Sequence, residues 1–256
     1  MTSIPATLPR AALVTGAARR LGRAMALALA EAGFDVAVHG RGPDAEATLH
    51  AVEATGRRGV LLAADLACEA EVAPLVARAA AALGPLGVLV NNASVFERDE
   101  WESVTRESWE RHLAPNLRAP FVLIQSFAAA LPAGAEGAVV NMLDQRVWSL
   151  TPHFVSYTLS KAGLWALTQQ FALALAPRIR VNAIGPGPAL PSPRQSAEAF
   201  ARQCAATPLG RGTSPAEVAH ALLAILSLPS LTGQMLALDG GQHLQWSPAR
   251  GASPEE

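Results

Sequence analysis

Cysteine is scarce in this chain of 256 residues, which contains only Cys68 and Cys204. Neither thiol belongs to a CxxC pair or to another spacing typical of metal ligands. A secreted fold held by disulfides is therefore not expected, and both thiols are interpreted as reduced, as in a cytoplasmic protein. The six histidines are scattered without a metal-ligand spacing, so the sequence predicts no metal site.

An excess of either charge is also missing, because 20 Lys and Arg residues are balanced by 21 Asp and Glu residues. Nucleic acid is therefore not an expected partner, and a small-molecule substrate fits better. Long apolar runs are interrupted, and the best candidate is broken by Lys161, Gln169 and Gln170. We expect no transmembrane helix. Residues 1–9 lack the basic start and apolar core of a secretory signal.

Short apolar runs and helical patterns alternate along the whole chain. Strands are predicted at residues 11–15, 34–39, 59–63, 88–91, 138–142, 179–183 and 235–238. Helices are predicted at residues 21–32, 45–55, 69–83, 101–112, 115–131, 154–176, 196–206 and 215–227. This alternation is typical of a parallel sheet with helices on both faces. We predict one α/β domain over residues 1–246 and a frayed polar tail over residues 247–256.

The first predicted strand leads directly into the turn TGAARRLG (residues 15–22) and then into a helix. Such a turn presents backbone N–H groups at a helix N-terminus, which suits the pyrophosphate of a dinucleotide. Small residues, here Gly16 and Gly22, allow the backbone to approach the ligand closely. The alternative is an ordinary strand-to-helix turn, but its place in the first strand–turn–helix unit favours dinucleotide binding.

The end of the second predicted strand distinguishes NAD from NADP. A carboxylate there would bind the ribose hydroxyls and repel a 2′-phosphate, but this strand ends at His39 and is followed by Gly40 and Arg41. Arg19, Arg20 and Arg41 offer guanidinium groups to a phosphate, which favours NADP(H). Arg41 could instead be a solvated loop charge. Asp65, after the third strand, could accept a bond from the adenine amino group or cap a helix.

The order and spacing of several motifs resemble those of the short-chain dehydrogenases/reductases over nearly the whole chain. The matching pieces are TGAARRLG (15–22), AADL (63–66), NNAS (91–94), Asn116, YTLSK (157–161), RVNAIGPG (180–187) and LTGQMLALDGG (231–241). The resemblance implies a single Rossmann-type, doubly wound domain with a seven-stranded parallel sheet. It also implies a homotetramer assembled through two long helices.

The resemblance further implies a role for each matching position. Tyr157 would be the proton donor, and Lys161, one helical turn later, would lower its pKa and hold the nicotinamide ribose. Asn116 would fix a water that connects Lys161 to solvent. With the turn and strand-end residues, the predicted cofactor set is Gly16, Arg19, Arg20, Leu21, Gly22, His39, Arg41, Asp65, Leu66, Asn92, Ala93, Tyr157, Lys161, Pro186 and Gly187.

Two positions depart from the family pattern. Arg20 stands where the phosphate turn usually has a second glycine, and Asp144 stands where a serine usually precedes the catalytic tyrosine. An ionised carboxylate would repel the oxyanion formed during ketone reduction. It fits a C=N substrate better, because a carboxyl group can bind ring N–H groups and help to relay a proton. The alternative is that Asp144 lies near Tyr157 by accident and that another acid serves.

Both departures, together with an aromatic residue after NNAS, resemble the pteridine reductases and the short-chain dihydromonapterin or dihydrofolate reductases. In that branch, the residue equivalent to Phe96 stacks on the pterin and sandwiches it against nicotinamide. Arg20 would reach both the cofactor phosphate and the pterin, and Ser94 would bond to the pterin edge. The predicted substrate set is Arg20, Ser94, Phe96, Asp144 and Tyr157. Without this context, Phe96 would be interpreted as a core residue.

The sequence therefore predicts an NADPH-dependent reductase that converts a dihydropterin to its tetrahydro form. The alternatives are a general ketoreductase acting on a 3-oxoacyl thioester or a sugar, and a non-catalytic NADP-binding regulatory protein. Residues 187–207, rich in proline and polar residues, are expected to fold over the substrate. Trp148 would either wall the pocket or pack against neighbours.

Overall fold

A parallel sheet of seven strands forms the centre of this computed structural model, which describes residues 4–192 and 194–245. The strand order is β3-β2-β1-β4-β5-β6-β7. The strands are β1 (Ala11–Val14), β2 (Asp35–His39), β3 (Gly59–Leu62), β4 (Val88–Asn91), β5 (Gly137–Met142), β6 (Ile179–Pro186) and β7 (Met235–Leu238). The predicted doubly wound sheet is thereby confirmed. The predicted tail at residues 247–256 lies outside the described residues.

Helices connect the strands and cover both faces of the sheet. They are α1 (Arg20–Glu31), α2 (Pro43–Glu53), α3 (Glu69–Val72), α4 (Leu75–Leu83), α5 (Arg106–Leu113), α6 (Ala119–Ala130), α7 (Val155–Ala174), α8 (Ala197–Ala205) and α9 (Pro215–Ser227). A π-helical turn, Ala114–Arg118, joins α5 to α6, and 3₁₀ turns occupy Gln145–Val147 and Gln242–Leu244. None of the helices in the described part of the chain is long and apolar enough to cross a membrane.

Several predicted elements differ in their bounds from those observed, among them the predicted helix 115–131, whose first residues form the π-helical turn. The predicted helix 69–83 is two helices, because Pro74 lacks an N–H group and its ring clashes with the preceding turn. The predicted helix 101–112 begins only at Arg106, where Thr105 and Ser108 form a capping box. Strand β6 continues past the predicted end, residue 183, as far as Pro186.

The central strands are buried on both sides. Val14 in β1 is level with Val38 in β2 and with Val90 in β4, and all three side chains are inaccessible to solvent. The chain moves outward from β1 to β2 and β3, then returns to the other side of β1 with β4. The strand order therefore reverses between β1 and β4, and in such sheets the crevice at the carboxyl ends of these strands binds ligands.

Candidate active site

The turn between β1 and α1 is a tight backbone cradle. Gly16 has a φ of +63°, and a Cβ atom added to Gly22 would lie 2.2 Å from the Gly16 carbonyl oxygen. Both positions therefore need glycine. No side chain caps the N-terminus of α1, so the N–H groups of its first turn are available to an anion.

The segment after β4 is fastened to this turn. The Thr15 hydroxyl oxygen accepts hydrogen bonds from the N–H groups of Asn92 at 2.9 Å and Ala93 at 3.0 Å. The Asn92 amide donates to the carbonyl oxygens of Thr15 at 2.9 Å and Gly16 at 3.1 Å. The carboxyl ends of β1 and β4 thus form one rigid floor, as expected for residues that line a cofactor.

The His39 side chain is buried behind the turn, and both of its ring nitrogens have partners there. Nδ1 accepts from the Gly16 N–H at 3.1 Å, so Nε2 carries the proton and donates to the Ala64 carbonyl oxygen at 3.2 Å. Burial lowers the pKa of His39, the Ala64 contact opposes this, and Arg41 and Arg78 lower it further. The neutral ring therefore acts on the predicted cofactor site through Gly16.

Two of the predicted phosphate ligands, Arg19 and Arg41, are exposed at the same edge of the sheet. The Arg41 guanidinium lies 4.0 Å from the Asp65 carboxylate, and both side chains are more than half exposed. Asp65 also accepts from the Ala67 N–H at 2.9 Å, which closes a turn before α3. Asp65 therefore accepts a backbone hydrogen bond as a capping residue would, but it does so in a turn and not at a helix end. Leu66, beside it, is buried.

Arg20 occupies the left-handed backbone region with a φ of +54°, which explains why glycine is usual at this position. Its guanidinium donates to the carbonyl oxygens of Pro191 at 2.8 Å and Leu190 at 3.0 Å. One side chain therefore connects the phosphate turn to the loop that follows β6.

The hydroxyl group of Tyr157, in the first turn of α7, meets the carboxylate that follows β5. Tyr157 Oη donates to Asp144 Oδ2 at 2.9 Å. Asp144 Oδ1 accepts from the Arg146 N–H at 2.8 Å, and the Arg146 guanidinium lies 3.4 Å from Oδ2. Asp144, predicted from its departure from the family pattern, and Tyr157, predicted from the family motif, are thus direct hydrogen-bond partners, with Arg146 orienting the carboxylate.

Lys161 is fully buried on the same face of α7. Its Nζ donates to the Met142 carbonyl oxygen at 2.8 Å and lies 5.8 Å from the centre of the Tyr157 ring. Burial lowers the pKa of Lys161 to about 8, while the Asp144 carboxylate opposes that change. The ammonium charge beside Tyr157 is therefore less firmly held than that of an exposed lysine.

Asn116 lies in the π-helical turn between α5 and α6 and is completely buried. Its amide donates to the Val95 carbonyl oxygen at 2.9 Å and to Ser160 Oγ at 3.1 Å, and its oxygen accepts from the Val95 N–H at 2.8 Å. Ser94 Oγ donates to the same oxygen at 3.2 Å. These contacts hold the segment that carries Ser94 and Phe96 against α7.

Phe96 belongs to an aromatic wall, of which the sequence predicts only some members. Its ring stacks on Phe154, with centroids 4.8 Å apart, and meets Tyr157 edge-on at 4.6 Å. The Arg146 guanidinium lies 5.3 Å from the Phe96 ring and 5.0 Å from the Phe154 ring. The Arg146 guanidinium is thus about as far from each ring as the two rings are from each other, so it lies beside the ring pair. Phe96 is therefore interpreted as a wall residue rather than as part of the core.

A cavity of about 280 Å³ brings most of these residues together. The predicted residues in its lining are Arg20, Leu21, Asn92, Ser94, Phe96, Asp144, Tyr157, Lys161, Pro186 and Gly187. Gln195, Phe200 and Gln203 also line it and belong to residues 187–207, the segment expected to fold over the substrate, although no individual contact was predicted for them. Gln145, Arg146 and Gln242 line it without any sequence prediction. Single amide side chains on loops form no sequence pattern from which a site could be predicted. Arg146 could have been predicted, because it follows Asp144 closely in the chain.

Outside that lining, Trp148 packs against other rings. Its indole meets the Trp165 ring at 6.2 Å and the His243 ring at 5.1 Å. Packing is therefore the alternative that the observed contacts favour. Across residues 4–192 and 194–245, no three His, Cys, Asp or Glu side chains are grouped closely enough to hold a metal ion.

Residues 16–243 match a family model of the short-chain alcohol dehydrogenase type, described as enoyl-(acyl carrier protein) reductase. A short-chain dehydrogenase/reductase of Armillaria gallica is 33% identical over 94% of this chain and 98% of its own. The 3-oxoacyl-(acyl-carrier-protein) reductase FabG of Staphylococcus aureus is 31% identical, over 93% and 99%.

Solved structures show a similar relationship. FolM alternative dihydrofolate reductase 1 from Brucella canis, complexed with NADP, is 45% identical with a TM-score of 0.91, over 97% of this chain and 100% of that one. Its counterpart from Brucella suis, also in complex with NADP, is 46% identical with a TM-score of 0.90, over 96% and 100%. This chain therefore belongs to the short-chain dehydrogenase/reductase family of oxidoreductases.

Proposed function

We propose that the protein is an NADPH-dependent reductase of dihydropterins, which it converts to the tetrahydro form. The candidate substrates are dihydrobiopterin, dihydromonapterin and dihydrofolate. The observation that carries the proposal is the 2.9 Å hydrogen bond from Tyr157 Oη to the Asp144 carboxylate. A carboxylate at this place suits the N–H groups of a heterocycle, and it opposes the oxyanion of a ketone substrate. Similarity to two FolM dihydrofolate reductases supports the same substrate class.

The cradle at the edge of the sheet fits NADP(H). The uncapped start of α1 suits the pyrophosphate, and the exposed guanidinium groups of Arg19 and Arg41 suit a 2′-phosphate. Further contacts are proposed from Asp65, Leu66, Asn92, Ala93, Pro186 and Gly187, and from Lys161 to the nicotinamide ribose. When bound, NADPH supplies the hydride that reduces the ring C=N bond.

The residues of this chain supply the matching proton and orient the ring. Asp144 accepts hydrogen bonds from substrate N–H groups, with its carboxylate held by Arg146. Tyr157 Oη, already bonded to Asp144, gives up the proton that the reduced ring nitrogen takes, and the Lys161 charge stabilises the tyrosinate left behind. A flat substrate ring stacks on the face of Phe96 that is opposite Phe154.

A parallel assay of the purified protein tests the proposal. NADPH and NADH oxidation would be followed with dihydrobiopterin, dihydromonapterin, dihydrofolate and acetoacetyl-CoA. We expect turnover of at least one dihydropterin, with NADPH preferred. Turnover of acetoacetyl-CoA alone would favour the ketoreductase alternative, which the similarity to FabG also supports. Nucleotide binding without any turnover would favour a regulatory protein.

The pH dependence of the reaction is expected to follow Lys161. Because its pKa is lowered to about 8, the lysine loses its charge as the pH rises through that value, and kcat/KM should fall there. Asp144 raises this pKa, so Asp144→Asn should move the descending limb to lower pH. Rates would be normalised to each protein's own maximum. A profile that stays flat well above pH 8, or a limb unmoved by Asp144→Asn, would contradict the assignment.

A homotetramer is the proposed assembly, with one interface at an apolar groove between α7 and the α5–α6 region. Leu113, Leu117, Phe121 and Leu167 line this groove, and exposed Ala166 lies on its α7 side. A carboxylate buried there in an interface would be costly, because Arg118, a cation in the lining, is already bonded to Glu69. We expect Ala166→Glu to lower the assembly state in sedimentation experiments, whereas Gln169→Glu, on α7 but outside the groove lining, should not. A wild-type monomer would contradict the proposal.

A further inference from the structure

Three buried polar side chains lie behind the catalytic tyrosine and belong to none of the roles described above. Asp99 is 6% exposed, His112 is 1% exposed and Ser156 is fully buried. Ser156 Oγ donates to Asp99 Oδ2, and the Ser156 N–H donates to Asp99 Oδ1 at 3.2 Å. His112 Nδ1 lies 2.7 Å from Ser156 Oγ. These three residues are here called the buried triad.

The hydrogen-bond directions in the buried triad are determined by its neighbours. The Glu97 N–H donates to His112 Nε2 at 3.1 Å, so the imidazole proton is on Nδ1. His112 Nδ1 therefore donates to Ser156 Oγ, with the Ser108 carbonyl oxygen as a second acceptor at 3.1 Å, and the Ser156 hydroxyl group donates to the Asp99 carboxylate. The result is one continuous chain of bonds from the Glu97 backbone to Asp99, in which each polar group has a defined role.

Two members of that chain are adjacent in sequence to residues of the proposed site. Glu97 directly follows Phe96, and Ser156 directly precedes Tyr157. The Asp99 carbonyl oxygen accepts from the Phe154 N–H at 2.8 Å, and the Asp99 carboxylate lies at the N-terminus of α7, where negative charge is favourable. Phe154 itself has a φ of +58° and no side-chain cap of its own, so Asp99 supplies that end of α7 with its acceptors.

We infer that the buried triad sets the position of the Phe96 ring relative to Tyr157, and thereby determines how well a flat substrate ring is held. Its members are positioning residues, because their contacts reach the cavity only through Glu97, Phe154 and Tyr157. The 4.6 Å separation of the Phe96 and Tyr157 rings is the distance under its control. The inference rests on the proposed reduction of a dihydropterin.

Two substitutions of His112 separate its two hydrogen bonds. His112→Gln can still accept from the Glu97 N–H but loses the donor to Ser156, whereas His112→Asn keeps a donor near Ser156 and cannot reach Glu97. Only His112→Asn should release the loop that carries Phe96. We expect it to raise KM for the dihydropterin about tenfold, the factor that corresponds to one lost hydrogen bond, with little change in kcat or in NADPH affinity. His112→Gln should stay near the wild-type KM.

A second pair controls for the loss of a buried hydroxyl group near Tyr157. Ser156→Ala removes the middle of the buried triad, whereas Thr158→Val removes a buried hydroxyl that has no hydrogen-bond partner in the structure. Ser156→Ala should also raise KM, but by a different route: the Asp99 carboxylate loses the Ser156 hydroxyl donor, which loosens the segment whose carbonyl oxygen holds Phe154 behind Phe96. Thr158→Val should not raise KM. Hydrogen exchange at the Glu97 amide, measured on the same proteins, should accelerate in His112→Asn and stay slow in His112→Gln.

Equal KM values for His112→Asn and His112→Gln would overturn the inference, as would equal values for Ser156→Ala and Thr158→Val. A purely structural role would lower the stability of both His112 variants without separating their KM values. Failure of the proposed function has a different signature: the wild-type protein would reduce no dihydropterin. In that event the assignment to substrate positioning would also be overturned.

Discussion

Tyr157→Phe is expected to lower kcat for dihydropterin reduction by about 10²–10⁴-fold, the usual contribution of one positioned proton donor. The substitution removes Oη, which lies 2.9 Å from Asp144 Oδ2. The ring itself stays, with its edge contacts to Phe96 at 4.6 Å and His112 at 6.1 Å. The site should therefore keep its shape and lose its proton donor, and any loss of NADPH affinity should be small beside the loss of kcat.

The composition of the chain allows a direct check, because Tyr157 is its single tyrosine. The ultraviolet absorbance of tyrosinate therefore reports this residue alone, and Tyr157→Phe provides the blank. Titration of the wild-type protein would show whether Lys161 favours the tyrosinate form. Near wild-type turnover by Tyr157→Phe would mean that the proton reaches the substrate by another route, for example through Asp144.

Asp144→Ser is expected to lower kcat/KM for the dihydropterin by at least about a hundredfold, because a hydroxyl group replaces the acceptor for ring N–H groups. The same change restores the donor that a ketone reductase needs for its oxyanion. We therefore expect a measurable gain in acetoacetyl-CoA reduction. Both reactions would be followed with NADPH, so that the ratio of the two kcat/KM values reports the substrate preference.

Asp144→Asn is the matched control for that exchange. The amide oxygen can still accept from the Arg146 N–H, now 2.8 Å from the carboxylate, while the charge is lost. Dihydropterin reduction should fall in this variant too, because the charged acceptor for the ring N–H groups is lost while the size of the side chain is kept. If Asp144→Ser keeps the dihydropterin activity, the carboxylate is not the group that recognises the ring, and the proposed function loses its main support.

The fold was predictable because strands that are buried on both faces have continuous apolar runs, as in Val88–Asn91. In helices, by contrast, apolar residues recur about once per helical turn. The misjudged boundaries have local physical causes. Pro74 breaks a run of strong helix formers, and Thr105 with Ser108 begins α5 later than the apolar pattern indicates. Strand β6 extends to Pro186 because its last residues pair with β7, a contact between segments distant in the chain.

The site was predictable where its residues belong to one motif or stand at a fixed spacing, as Asp144, Tyr157 and Lys161 do. It was not predictable where a role arises only in three dimensions. The place of Phe154 depends on a ring contact with Phe96, which is far from it in sequence. The role of His39 behind Gly16 likewise depends on the close approach of β2 to the turn after β1.

Arg20 has a consequence for any screen of variants by thermal stability. A non-glycine residue in the left-handed region costs about 1–3 kcal/mol, while the two exposed hydrogen bonds of Arg20, to Leu190 and Pro191, contribute about 0.5–1.5 kcal/mol each. Arg20→Gly removes the backbone strain but also removes the two hydrogen bonds, so its melting temperature can stay close to that of the parent. Selection for heat resistance alone would pass over a side chain that couples the phosphate turn to the loop that follows β6.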